Sequence, residues 1–118
     1  MNKRLGLVVD GRLQRHAISG HSPENPARIR NLSLVVRERF RQGCVVLPAR
    51  AAGLDDIEAV HSRFYLDQLR DHQLRSDPYS YDRDTYLMEH SLETAELAAG
   101  GCLDLADRIM TGELDQGF

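Results

Sequence analysis

The sequence predicts a single α/β domain, spanning residues 1–118, with a short and incomplete parallel sheet. Two short apolar runs, "GLVV" and "CVVL", flank a helix-forming segment, which is the order of a β-α-β unit. Continuous apolar runs of this length are typical of strands buried on both faces of a parallel sheet. The chain closes on "GELDQGF", where a turn leads into the first residues of a third strand. A length of 118 residues fits one domain.

The first half of the chain predicts a strand, a long loop, a helix and a second strand. The first strand is centred on Leu7–Val9, and the loop "GRLQRHAISGHSPENP" follows it. Loops of this length inside a small domain are often functional. Asn25 can cap the next helix, Pro26 suits its first position, and Gly43 can end it. The apolar face of this helix is predicted to comprise Ile29, Leu32, Val35, Val36 and Phe40.

The second half predicts three more helices and a polar, tyrosine-rich loop, "RSDPYSYDRDTY". "GLDDIEAVHS" forms a short helix, and Ser62 can cap the helix after it. The last helix runs from about Ser91 to Met110, with a predicted apolar stripe at Leu92, Ala95, Ala99, Cys102, Ala106 and Ile109. Gly100 and Gly101 each cost about 1 kcal/mol in a helix relative to alanine, so another backbone is expected to approach there.

Composition excludes several classes of function. The 15 basic and 18 acidic residues give a net charge of −3, which offers no electrostatic argument for nucleic acid or an anionic membrane. No apolar run reaches the ~18 residues of a membrane helix, and Asp10 interrupts the N-terminal run, so a cytoplasmic protein is expected. Cys44 and Cys102 fit neither a disulfide framework nor zinc-ligand spacing and are predicted to be buried.

Few residues suggest chemistry on local pattern alone. The histidines form no metal-binding motif, and the sequence has no phosphate loop or nucleophile elbow. His16 and His21 share the long loop and could line a site. Arg28 lies in the first turn of a helix, where a positive charge opposes the helix dipole, so helix stability does not explain it. Asp82 and Asp84 precede the last helix and could serve as loop or capping residues.

Three stretches in this order resemble a known family. They are "GHSPENPARI", "AVHSRFYLDQL" and "DRDTYLMEHSLETAELAAGG" with its continuation "TGELDQGF". Together they are similar to the N-terminal part of the histone deacetylase family, in particular its bacterial branch of acetylpolyamine amidohydrolases and acetoin-utilisation deacetylases. This resemblance implies an arginase/deacetylase-like three-layer α/β fold. It also implies zinc-dependent hydrolysis of an acetyl amide.

The resemblance carries only four site residues onto this chain. Arg28 matches the arginine that lines the inner end of the acetyl channel. His21 and Pro23 match the first loop of the pocket rim, although Ser22 interrupts the usual Gly-His-Pro-Glu pattern. Asp84 matches the rim aspartate that grips the substrate backbone. The family's Gly-His-His motif, metal ligands and catalytic tyrosine follow the match to "TGELDQGF", so no catalytic or metal-binding residue is assigned within residues 1–118.

Two functions from different classes are therefore expected. The first is the N-terminal part of a zinc-dependent deacetylase that acts on acetyl-lysine in proteins or on acetylated polyamines. In this case the isolated chain is inactive and binds no zinc, although a full-length member would. The alternative is a non-catalytic remnant, an oligomerisation or interaction module whose partner covers the unfinished sheet. A third hypothesis is an unrelated small domain, and a structure without the strand, long loop, helix and strand order would favour it.

Overall fold

A computed structural model describes residues 3–18, 20 and 22–118. In chain order its elements are β1 (Leu5–Val8), a 3₁₀ helix (Gly11–Gln14), α1 (Ala27–Arg39), β2 (Cys44–Leu47), α2 (Leu54–Glu58), α3 (Arg63–Arg75), β3 (Tyr79–Ser80), β4 (Tyr86–Leu87), α4 (Ser91–Met110) and β5 (Gln116–Gly117). The predicted order of strand, long loop, helix and strand is confirmed. The observation that would have favoured the third hypothesis is therefore not made.

The main sheet has three parallel strands in the order β2-β1-β5. Leu5 pairs with Cys44 on one side and with Gln116 on the other. The predicted third strand is confirmed, since the Phe118 N–H donates to the Gly6 carbonyl at 2.9 Å. Leu7 in the central strand is fully buried, with 0% of its surface exposed.

Helix α1 begins next to the predicted start, ends at Arg39 before the predicted stop at Gly43, and exposes its apolar face. The Asn25 side-chain oxygen accepts the Ala27 N–H at 3.0 Å, and Gly43 adopts φ +84° after the helix end. The exposed fractions of Ile29, Leu32, Val35 and Phe40 nevertheless lie between 43% and 61%. The burial predicted for this face is therefore wrong in the described chain. The physical reason is that α1 contacts mainly the 3₁₀ helix, so little of the described chain packs against this face.

Helix α4 packs across the sheet with a different face from the one predicted. It contacts β1 and β5, and its buried residues are Ser91, Thr94, Leu97, Gly100, Gly101 and Leu105. Ala95, Ala99, Cys102 and Ala106, which were predicted to face the core, are exposed and line an open groove beside α2 and α3. The large side chains of Leu97 and Leu105 provide more apolar burial than alanine does, so they occupy the core side.

The close backbone approach expected at the paired glycines is confirmed. The Ala52 N–H donates to the Glu96 carbonyl at 2.9 Å, which ties the loop after β2 to α4. A Cβ at Gly100 would lie 2.5 Å from the Ala52 nitrogen and would overlap the Arg50 carbonyl oxygen. Glycine is therefore required here, and its helix-propensity cost is offset by this contact.

A small core of Leu47, Leu105 and Leu114, with Val8 packed against it, joins α4 to the sheet. Gly112 ends α4 at φ +76°, and the Glu113 N–H donates to the Arg108 carbonyl at 2.8 Å. This left-handed stop returns the chain to the sheet as β5. Among the described residues, no helix is both long and apolar enough to cross a membrane.

Candidate functional site

A cleft of about 830 Å³ lies between the long loop that follows β1 and the tyrosine-rich loop that precedes α4. The 3₁₀ helix and the start of α1 form one wall, and the β3–β4 hairpin and the start of α4 form the other. Its polar lining residues include His16, Glu24, Arg28, Tyr86 and Ser91. The 3₁₀ helix follows the carboxyl end of β1, and in open α/β sheets this end of the strands is the usual place for ligand binding.

An Asp10–Arg12 pair holds the start of the long loop. Asp10 follows β1, and its carboxylate accepts hydrogen bonds from Arg12 Nε at 3.0 Å and from Nη2 at 2.7 Å. The same carboxylate accepts the Ala49 N–H at 3.1 Å, and Arg12 Nη2 donates to the Ala49 carbonyl at 2.8 Å. Arg12, through its side chain and its backbone N–H, holds the pKa of Asp10 well below its usual range. The pair therefore ties the loop to the segment that follows β2.

His16 joins the long loop to the beginning of α4. Its ring stacks on Tyr86 with centroids 4.7 Å apart and planes 8° from parallel. His16 Nδ1 lies 2.7 Å from Ser91 Oγ, which also accepts the Met88 N–H at 2.7 Å. The Ser91 hydroxyl therefore links the long loop, through His16, to the backbone that leads into α4.

Tyr86 carries a buried hydroxyl without a hydrogen bond. Only 9% of the residue is exposed, and its hydroxyl has no partner among the residues that the structure describes. An unsatisfied buried polar group costs about 1–3 kcal/mol. Groups of this kind are rare in folded proteins and need an explanation.

The structure places Arg28 on the wall of the cleft. Its guanidinium pairs with the Glu24 carboxylate at 2.7 Å, one helical turn earlier. The negative charge of Glu24 offsets the unfavourable position of Arg28 near the helix start. Within residues 3–18, 20 and 22–118, Arg28 forms no other ion pair.

The remaining predicted site residues lie outside the cleft wall or outside the described chain. Asp84 and Pro23 are exposed on the loops that border the cleft. The Asp82 carboxylate accepts the Asp84 N–H at 2.8 Å and the Thr85 N–H at 2.7 Å, and these bonds lower the pKa of Asp82. Asp82 therefore shapes the turn and leaves the Asp84 side chain facing solvent. His21 lies outside the described residues.

An aromatic cluster fixes the hairpin to α3. His72 stacks on Tyr79 with centroids 4.4 Å apart, and its Nδ1 lies 2.7 Å from the Tyr81 hydroxyl. No local sequence pattern identifies this packing role of His72. The cluster sets the position of the turn that carries Asp84.

Sequence reasoning missed Asp10, Arg12, Tyr86 and Ser91 as parts of this region. One signal was available for the first pair, because a charged Asp-x-Arg directly after a buried strand lies at the ligand-binding end of the sheet. No local signal identifies Tyr86 or Ser91, whose partner His16 is 75 residues from Ser91 in sequence.

The described residues do not fit a metal site. No group of three His, Cys, Asp or Glu side chains among them converges closely enough to hold a metal ion.

Comparisons with known proteins agree on one family. A family model described as the histone deacetylase domain matches residues 22–118. Histone deacetylase 15 of Arabidopsis thaliana is 38% identical over 100 residues, which cover 81% of this chain and 18% of that protein. Human histone deacetylase 7 is 30% identical over 141 residues, covering 96% of this chain and 15% of that protein. The chain spans less than a fifth of the length of either relative.

A solved structure is similar over the same region. The crystal structure of the HDA15 HD domain superposes with a TM-score of 0.82 at 29% sequence identity. The match covers 99% of this chain and 35% of that chain. The three-stranded sheet and its helices therefore form one portion of a larger known fold.

Proposed function

Because the chain belongs to the histone deacetylase family, we propose that it is the N-terminal part of a zinc-dependent deacetylase that hydrolyses acetyl amides. The family and the deacetylase-like α/β fold expected from the sequence are confirmed. The substrate is proposed to be acetyl-lysine in proteins or an acetylated polyamine. Membership of the bacterial acetylpolyamine branch also belongs to the proposal.

The observation that carries this proposal is the position of Arg28 on the cleft between the long loop after β1 and the β3–β4 hairpin. A guanidinium there is a strong donor for an acyl oxygen or a carboxylate. We propose that Arg28 lines the inner end of an acetyl channel. Its pairing with Glu24 at 2.7 Å fixes the side chain at the first turn of α1.

Asp84, His21 and Pro23 are proposed to form part of the channel rim. The turn organised by Asp82 holds the Asp84 carboxylate in solvent next to the cleft. An exposed carboxylate in this position can accept N–H groups of a peptide substrate. Catalytic residues and zinc ligands are proposed to lie outside residues 1–118.

Measuring acetate release by the purified chain tests the proposal that the catalytic residues and zinc ligands lie outside residues 1–118. We expect no hydrolysis of an acetyl-lysine peptide by residues 1–118, with or without added zinc, because the described residues form no metal site. Turnover that a chelator abolishes would contradict the proposal. A preparation of an active deacetylase in the same buffer serves as the positive control.

A second candidate, an interaction module, is supported by the exposed apolar surface of α1 and β2. Val45 and Val46 on the edge strand are 41% and 47% exposed. An uncovered edge strand can pair with another chain. This candidate predicts an obligate dimer in sedimentation velocity, and Val46→Lys should then produce monomers. A folded monomer at micromolar concentration would argue against it.

A further inference from the structure

The outer edge of β2 can accept another strand. β2 lies at one end of the strand order β2-β1-β5, so only one of its sides is paired within the described chain. On the paired side, the Val9 N–H donates to the Leu47 carbonyl at 3.1 Å. Because successive residues of a strand direct their backbone groups to opposite sides, Cys44 and Val46 direct their N–H and carbonyl groups away from β1. An edge of this kind is a template for strand addition.

A groove of about 450 Å³ lies between this edge and helix α1. Its lining comes from the C-terminal half of α1, the turn after that helix and the edge strand, namely Leu34, Arg37, Glu38, Arg41, Cys44 and Val46. Side chains alternate across a strand, so Cys44 and Val46 face the groove while Leu47 faces the core on the α4 side. A strand added beside β2 would therefore present every second side chain to the groove.

The groove carries positive charge that the chain does not neutralise. Arg37 and Arg41 are exposed, and in the part of the chain that the structure describes neither belongs to an ion pair. Glu38 is the one acidic residue of the lining, so one positive charge is left over, although the chain as a whole has a net charge of −3. Carboxylates of a partner would gain charge-assisted hydrogen bonds to the two guanidinium groups.

These features together favour one kind of occupant. A second copy of the same edge would bring two positively charged grooves together, and this repulsion disfavours self-pairing. A nucleic acid would match the charge, but it would leave the exposed Leu34 and Val46 side chains in water and would not continue the sheet. An extended acidic peptide matches the charge, the apolar side chains and the open backbone groups.

We propose that the β2 edge binds an extended acidic segment of a partner protein as an additional strand of the sheet. Its acidic side chains point into the groove toward Arg37 and Arg41, and its alternate apolar side chains lie on the other face beside the exposed Val45. Main-chain hydrogen bonds to β2 supply affinity, and the groove selects the side chains. The inference goes beyond the proposed function and does not rest on it, because it requires no catalytic residue.

Fluorescence anisotropy of residues 1–118 with a labelled peptide, Ser-Glu-Val-Glu-Val-Glu-Ser, tests this surface. We expect saturable binding that weakens as the salt concentration rises to about 0.5 M, because salt screens exposed charges. Two matched peptides separate charge from strand addition. One has lysine in place of each glutamate, and the other keeps the side chains but has methylated backbone nitrogens, which removes the N–H donors. Both should bind at least about tenfold more weakly, since each lacks one of the two required interactions.

Variants of the chain identify the residues that bind. Arg37→Gln combined with Arg41→Gln should weaken peptide binding about fivefold, the value of two exposed charge pairs. Arg39→Gln, on the same helix but outside the groove lining, is the matched control and should bind as the unchanged chain does. Val46→Pro removes one outward N–H at a position where an edge strand tolerates proline, and it should also weaken binding. In ¹⁵N NMR of the unchanged chain, the amides of Cys44 and Val46 should shift most.

Several outcomes would overturn the proposal. Equal binding of the lysine peptide would contradict the charge preference, and equal binding of the methylated peptide would contradict strand addition. Amide shifts largest outside β2 and α1, or no binding up to about 1 mM peptide, would contradict the site. Tighter binding of a thymidine oligonucleotide would contradict a protein partner, and dimers that Val46→Lys disrupts would assign the edge to a second copy. No turnover is measured, so failure here is distinguishable from failure of the deacetylase proposal.

Discussion

The Asp10 carboxylate and the Arg12 guanidinium form a two-pronged hydrogen-bonded pair, at 3.0 and 2.7 Å, directly after the central strand β1. Only 11% of the Asp10 side chain is exposed. The same carboxylate reaches the Ala49 N–H after β2. One side chain therefore ties the beginning of the long loop to the segment that follows β2.

Asp10→Asn should lower the free energy of unfolding by about 2 kcal/mol, because it removes a charge-assisted bidentate bond in a largely buried position. Urea denaturation measures this change. Asp67→Asn is the matched control, since its pair with Arg70 is exposed on α3 and should contribute little. Equal stability of the two variants would contradict the structural role of the Asp10–Arg12 pair.

Stability should fall with acid in a way that depends on Asp10. Its folded pKa lies below the ordinary value of 3.8, so protons bind the unfolded state more readily. The stabilisation that ionised Asp10 contributes is therefore fully present above the unfolded pKa of 3.8, and it is lost as pH falls through the folded pKa. Asp82 and Asp115, whose pKa values are also lowered, act in the same direction.

Urea denaturation from neutral pH to about pH 3 tests this dependence. Asp10→Asn should be less stable at neutral pH and should lose less stability on acidification than the unchanged chain. Parallel pH profiles for the two proteins would contradict the assignment of the lowered pKa to Asp10.

Gly100→Ala should destabilise the chain by more than about 2 kcal/mol, although alanine is the better helix former. The added Cβ would overlap the Arg50 carbonyl oxygen in the backbone that crosses α4. Gly101→Ala is the control on the same helix, because its Cβ would meet only the Val8 side chain, at 3.0 Å. Thermal denaturation compares the two, and equal stability would contradict the close approach.

Tyr86→Phe should raise the free energy of unfolding by about 1 kcal/mol, since it removes a buried hydroxyl that has no partner. Urea denaturation of the ligand-free chain measures the effect. A loss of stability would show that the hydroxyl is satisfied in solution.

Local sequence patterns predicted where elements begin and end more successfully than which faces they bury. Ser91, Met110 and Gly112 mark the bounds of α4 in both sequence and structure, because glycine stops and caps act within a few residues. The stripe containing Ala99 was wrong because face burial depends on the sheet, which the helix meets through Leu97 and Leu105. Cys102, expected to be buried, is exposed for the same reason.

The candidate site was predicted only in part. Arg28 was identified because its charge conflicts with the helix dipole, and the structure places it on the cleft. Tyr86 and Ser91 have ordinary local surroundings, and their importance comes from His16, which the fold brings in from the opposite end of the chain. Contacts of this kind depend on tertiary structure and leave no short-range pattern.

A chimaera tests the proposed function most directly. The segment of the HDA15 HD domain that matches this chain would be replaced by residues 1–118, and hydrolysis of an acetyl-lysine peptide would be measured. We expect a folded, active enzyme in which Arg28→Ala lowers kcat/KM at least about tenfold, while Arg37→Ala, on the exposed side of α1, does not. A chimaera that melts like the parent domain but has no activity, or whose activity is unaffected by Arg28→Ala, would contradict the proposed role of this chain in deacetylation.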